Sequence, residues 1–336
     1  MVQLGINTCF AVKRWPRPAD WAPIVRDTLG LELVQVSLDL IDLTRGEESL
    51  ARDIEEHLEA ADRYGITIHS VFTGVAGYSS NLLLHPSERE REAAERWYER
   101  AIEFAARLGV VSVGGHVGAF SVPDWADASR RSELWKDLRR RLDRLASIAR
   151  SNGLQGFLVE NLAARREPST MADIESLITD GDDEHVPLQL CLDVGHMCVP
   201  ETDGEERDPY AWLRRLGSSA AVIQIQQTDV FGDRHWPFTT EHDDVGRILG
   251  ESLDLIVVAF FVLRHFHEED LGLFVARALG QERIEASGSI LGVDGVAKRL
   301  SQGKSRHGGH LEFEFGWSIA LLPLLAITVS GGSSSG

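Results

Sequence analysis

The chain is short of cysteine, of basic charge and of long uninterrupted apolar runs, and each shortage removes a class of protein. Its three cysteines, Cys9, Cys191 and Cys198, are odd in number and lack C-x-x-C spacing. A disulfide framework needs pairs and an oxidising compartment, so free thiols in a reducing one are expected. Lys and Arg total 34 against 52 Asp and Glu, a formal net charge of −18. That balance repels phosphate backbones and anionic lipid surfaces, so no nucleic acid and no membrane are expected as partners. A small phosphorylated metabolite stays open, because a few nearby cations outweigh a distant net field. "MVQLGINTCF" has neither the basic start nor the long apolar core of a signal peptide. "SIALLPLLAITV" is too short to span a bilayer and is broken by Pro323. A cytoplasmic protein is expected. Nor does a G-x-G-x-x-G follow the first strand-like segment; the glycines of "GVAG" (74–77) and "GGHVG" (114–118) have other spacings.

What is present is a soluble globular chain of 336 residues, 43% hydrophobic and 26% charged, long enough to bury a sizeable core. Strand-length apolar runs recur at 2–9, 31–38, 66–72, 110–117, 154–161, 188–195 and 221–229. Between them lie helix-length segments with apolar residues three and four apart, such as "ESLARDIEEHLEAADRYG" and "SEREREAAERWYERAIEFAARLG". These end in Gly, and "HPSERERE" and "EPSTMADIE" offer Ser or Thr caps with acidic first turns. Apolar strands alternating with helices predict a parallel sheet covered by helices, either doubly wound or a closed (β/α)8 TIM barrel. The strands end in Asn7, His69, His116, Glu160 with Asn161, Asp193 with His196, and Gln226 with Asp229. A barrel gathers such residues on one face, so the barrel is the reading adopted.

The pattern weakens after residue 250. "LDLIVVAFFVL" (253–263) is an available eighth strand and "EEDLGLFVARALG" (268–280) an eighth helix, but the connection from strand seven is too short for a full crossover helix. We divide the chain into a barrel domain, 1–280, with an irregular last unit, and an atypical C-terminal extension, 281–336, ending in the flexible "SGGSSSG".

The stretch "LQLCLDVGH" carries an apolar strand outward and ends it in Asp193 and His196. With Glu160 on the preceding strand, this set of carboxylates and an imidazole suits a divalent ion such as Mn2+, Mg2+ or Co2+; Zn2+ is less favoured without cysteine ligands. Rim polar residues commonly just meet water, and a buried histidine commonly just satisfies a carbonyl. Lys13, Arg14, Arg234 and His235 are candidates for a phosphate or sugar hydroxyls, although exposed charges are usually only solvated. Trp15 and Trp236 would pack on a sugar face or wall the pocket.

The segments "FLVENL", "CLDVGHM" and "IQIQQTD" resemble the strand-five, strand-six and strand-seven motifs of the xylose-isomerase-like sugar isomerase/epimerase superfamily, which includes tagatose 3-epimerase. "GGHVGAFSVPDW" and "IQQTDVFGDRHWPFTTEHDDVGRI" resemble its branch of tetrulose-phosphate epimerases of erythritol breakdown, over residues of about 2–250. The resemblance implies a metal-dependent isomerase or epimerase of a small ketose or ketose phosphate. It implies that Glu160 is metal ligand and catalytic base, that Asp193 is a ligand, and that His196 touches substrate oxygen. Where the family has a strand-seven histidine ligand this chain has Gln224, a neutral and weaker donor. The family's second carboxylate, at the end of strand eight, has no counterpart in 253–263; Glu268, Glu269, Glu312 and Glu314 are the nearest acids. His69, His116, Arg234 and His235 complete the expected substrate contacts.

Epimerisation needs a base on each face of the reacting carbon, with the cation stabilising the enediolate between. With one face unassigned, proton exchange without rapid inversion is expected. Two alternatives remain. One is a barrel that has lost catalysis and serves as a binding protein. The other is a metallo-endonuclease of the same superfamily, which the charge of −18 disfavours. A small sugar or sugar phosphate is the expected partner, and association into a homo-oligomer is left open.

Overall fold

The computed structural model describes residues 2–236, 238, 240–242 and 244–248, and for residues 325–329 the backbone alone. The strands are β1 (Val2–Asn7), β2 (Leu33–Ser37), β3 (Thr67–Phe72), β4 (Ser112–Gly115), β5 (Gly156–Glu160), β6 (Leu188–Asp193), β7 (Ala220–Ile225) and β8 (Leu325–Val329). The helices are α1 (Pro18–Pro23), α2 (Glu47–Tyr64), α3 (Glu88–Arg107), α4 (Val122–Ala126), α5 (Ala128–Ser151), α6 (Met171–Leu177) and α7 (Pro209–Leu216). β1 to β7 pair in chain order and in parallel, and the sheet closes into a barrel through β8. β8 runs antiparallel to both β1 and β7. The eighth strand in the described residues is thus the apolar "LAITV", while 253–263, 268–280 and the acids beyond 250 lie outside the described residues. No helix among the described residues is long and apolar enough to cross a membrane.

Alternation along each strand sorts side chains between two cores. Phe157 and Val159, Leu190 and Leu192, Ile223 and Ile225 join the large core between sheet and helices. Leu158, Cys191 and Val222 face inward with Phe72, forming an apolar layer inside the barrel. Two residues further along the same inward faces come Glu160, Asp193 and Gln224. The polar cluster therefore sits on the apolar layer, at the C-terminal mouth. Register sets Asp193 directly beside Gln224, while Glu160 pairs with Cys191, two residues before Asp193.

Gly114 lets β4 lie close to β5. Its φ is +144°, and a Cβ there would fall 2.1 Å from the Leu158 carbonyl oxygen. Gly114 of "GGHVG" thus serves strand packing, in keeping with a spacing that is not that of a phosphate turn. Behind β4 and β5, α3 and α5 are clasped by buried ions. Asp137 accepts from Arg91 at 2.7 Å and from Arg141 at 2.8 Å, and Arg141 also meets Glu95 and Glu88. Thr170 caps α6 in a reciprocal box with Asp173, as the sequence suggests. Ser87 occupies the cap position of α3 without a side-chain bond, and α5 begins at Ala128, capped by Asp127.

Candidate active site

Glu160, Asp193 and Gln224 meet inside the mouth of the barrel, and all three are fully buried. The Gln224 carboxamide lies 3.2 Å from Glu160 Oε1 and 3.3 Å from Asp193 Oδ2. On its other side it lies 3.2 Å from Gln35 Oε1, which accepts from Asn7 Nδ2 at 2.8 Å while Gln35 Nε2 donates to Ser70 Oγ. With its NH2 inward Gln224 donates to both carboxylates; with its oxygen inward it adds a third oxygen to the same small space.

Asp193 is oriented from below and above. Its Oδ1 accepts from the Gly195 N–H at 2.7 Å and from Gln226 Nε2 at 2.9 Å. Asn161 locks the turn, since its Oδ1 accepts from the Asp193 N–H and its Nδ2 donates to the Asp193 carbonyl. His196 Nδ1 lies 2.7 Å from the Asn161 carbonyl, so that nitrogen carries a hydrogen. Nε2 then faces Asp193 Oδ2 at 3.8 Å and Asp233 Oδ2 at 3.5 Å. Burial alone would lower the His196 pKa, but Asp193, Asp233 and Glu160 around it raise it well above the usual value. Burial raises Glu160 to about 8, with Asp193 and Asp233 adding to the rise and His196 and Tyr78 opposing it.

Two residues here were not singled out from sequence. Tyr78, on the 3-10 turn Val75–Ser79, donates its O–H to Glu160 Oε1 at 2.7 Å. Asp233 accepts from Gln226 Nε2 at 2.8 Å and faces His235 Nε2 at 3.1 Å. Burial would raise Asp233, yet His196 and His235 hold it far below the carboxylate range. Tyr78 stands in an irregular loop with no periodicity to mark it. Asp233 has one signal in the sequence, its place in "FGDRHW" beside Arg234 and His235.

The structure gathers some expected contacts and leaves others apart. His116 enters through Tyr78, whose ring stacks on it at 4.7 Å and 4°. His235 closes over the site, its ring 6.3 Å from that of His196 and its N–H donating to Gln226 Oε1. His69 is not brought in. β3 bulges there, its pairing stepping from Val34–Ile68 to Gln35–Ser70 and leaving His69 out of register, and burial lowers the His69 pKa to about 4. Arg234 is paired with Asp229 at 3.0 Å and lies over Trp236, on the outer side of the loop. Trp15 lies tilted against Phe10, ring centroids 6.1 Å apart at 52°, and is 38% exposed.

The donor set fits a hard divalent cation. Glu160 Oε2 is buried with no hydrogen-bond partner among the described residues, and Glu160, Asp193 and His196 offer atoms within 4.8 Å of one another. An uncompensated pair of buried carboxylates is costly, and a cation shared with the Gln224 oxygen would neutralise it. A second trio, His196, Asp233 and His235, has the same spacing.

A barrel of seven parallel strands closed by an antiparallel eighth, with acids crowding its C-terminal mouth, defines a class of enzyme. Residues 27–252 match the family model described as xylose isomerase-like TIM barrel, and the chain belongs to that family. Over 254 residues it is 28% identical to the D-erythrulose 1-phosphate 3-epimerase of Brucella abortus (strain 2308), covering 74% of this chain and 81% of that protein. The crystal structure of a candidate xylose isomerase from Rhodospirillum rubrum ATCC 11170 is 32% identical, with TM-score 0.72, covering 81% of this chain and 95% of that one. The 3-keto-D-glucoside 4-epimerase of E. coli shares the fold at 17% identity, TM-score 0.54, over 85% of this chain and 93% of its own.

Proposed function

We infer that this chain is a sugar isomerase or epimerase that acts on a short ketose phosphate, a tetrulose phosphate foremost, with a divalent cation held by Glu160, Asp193 and Gln224. The observation that carries the reading is the meeting of those three side chains within 3.3 Å at the barrel mouth, with Glu160 Oε2 unpartnered. The relative's activity, on erythrulose 1-phosphate, supports the choice of substrate.

Glu160 takes the proton from the carbon beside the carbonyl, and the electron pair left behind spreads onto the carbonyl oxygen. A bound divalent cation supplies positive charge to that oxygen. His196, with Nδ1–H fixed on the Asn161 carbonyl, presents Nε2 to a substrate hydroxyl. His235 and Arg234, on the loop above, would face the phosphate end, once Arg234 leaves Asp229. A second reading has abstraction outpacing inversion. It is favoured by β8, whose residues Leu325–Val329 include no carboxylate.

The test is incubation with Mn2+ and erythrulose 1-phosphate in D2O, following deuterium at C3 and the epimer ratio by NMR. Exchange should occur, and Glu160→Gln should slow it by about a thousandfold or more. A tetrulose phosphate should be preferred to a free hexulose. Failure to exchange any short ketose phosphate, or full activity in the variant, would sink the reading; exchange without epimer would select the second one.

A further inference from the structure

A base that removes a proton must hold its oxygen in one place, and a glutamate head group turns about three torsions. We propose that Tyr78 is the positioning residue for Glu160, delivered to it by an arm anchored on Asp39. The proposal rests on the function inferred above.

Tyr78 ties down Oε1 at 2.7 Å and leaves Oε2 unpartnered. Gln224 donates to that same Oε1 only with its NH2 inward, the orientation that a cation on the three oxygens excludes. With the cation in place, Tyr78 is the remaining hydrogen-bond donor to Glu160 among the described residues. The phenol is itself fixed. Its ring stacks on His116 and meets the edge of His196 at 6.2 Å.

The turn that carries Tyr78 is partly exposed, with Val75 42% accessible, so packing alone does not order it. Asp39, just after β2, holds its start. Asp39 Oδ2 accepts from the Val75 N–H and Oδ1 from the Ala76 N–H, both at 2.8 Å. Ser37 Oγ donates to the same carboxylate at 2.8 Å. Gly74 permits this approach: its φ is +85°, and a Cβ would lie 2.7 Å from the Asp39 carboxyl. Asp39 thus acts on Glu160 only through the arm and Tyr78.

The experiment compares wild type, Tyr78→Phe, Asp39→Asn and the double variant, all loaded with Mn2+, by C3 exchange kinetics and by Mn2+ calorimetry. Tyr78→Phe should lower kcat by about 10- to 100-fold, with KM and Mn2+ affinity within about threefold of wild type. Asp39→Asn should lower kcat less, and the double variant should be no slower than Tyr78→Phe, because both act through one contact. A wild-type kcat in Tyr78→Phe, multiplying effects in the double variant, or a loss of Mn2+ affinity beyond about tenfold would each overturn the proposal. Absence of exchange in the wild type would instead remove the functional reading, and this inference with it.

Discussion

Glu160 is held between two charge states by its neighbours. Without a cation, burial favours the protonated form and carries its pKa to about 8. A cation on the same oxygens would reverse that preference and leave the carboxylate ready to accept a proton. Asp193 and His196 differ in how they would take part. Asp193 Oδ2 faces the carboxamide of Gln224 at 3.3 Å, whereas His196 approaches the two carboxylates only at 3.7 and 3.8 Å. Asp193→Ala should therefore weaken Mn2+ binding by about 100-fold or more, and His196→Ala by less than about tenfold, read by calorimetry. Equal losses would move His196 among the ligands. Sequence already marked Glu160, Asp193 and His196, because each ends an apolar strand or its turn, and the family resemblance added Gln224. It also marked His69, for the same reason, and there a bulge in β3 breaks the register on which that reading depends.

Among the elements, α3 and α5 depend most on charge. Arg141 is 1% exposed, and three carboxylates from two helices, those of Glu88, Glu95 and Asp137, close around it. Burial would raise the Asp137 pKa, but hydrogen bonds from Arg141, Arg140 and Arg91 outweigh it and hold the group at about 2. The folded pKa is thus below the unfolded one, near 3.8. Such a group stabilises the fold above the unfolded value, and the contribution fades as pH falls through the folded one. Asp137→Asn should cost about 2 kcal/mol at pH 7, by urea unfolding. The gap to wild type should narrow as pH drops from about 4 towards 2. A gap independent of pH would point to packing rather than charge. The apolar spacing foretold both helices; this clasp joins residues 88 to 141 and had no local signature.

Across the whole molecule, closure rests on a strand drawn from far along the chain. β8 lies between β1 and β7 and satisfies backbone groups on both sides, which would otherwise form two open edges. Ile327 pairs with Leu4 on one flank and Ile223 on the other. Ile327→Pro removes a donor in the middle of this ladder and should destabilise the barrel by at least about 2 kcal/mol. Circular dichroism melts should show the loss, and size-exclusion chromatography the self-association of freed edges. An unchanged melting temperature would mean that β8 contributes little to closure.

What the sequence determined by itself is what local physics can encode. Strand and helix periods, Gly stops and the Thr170 cap are set within a few residues, and they were enough for seven strands, their order and a barrel. Glu160 and Asp193 stood out as polar ends of apolar strands, and the family resemblance alone pointed to Gln224 beside them. Tertiary structure decided the rest. Tyr78 reaches Glu160 across 82 positions of chain. Asp233 meets His196 through a loop, and "LAITV" enters the barrel as an antiparallel eighth strand. A loop side chain has no period to reveal its direction, and a strand's partner is chosen by which edges are left unpaired once the other seven have closed round the core.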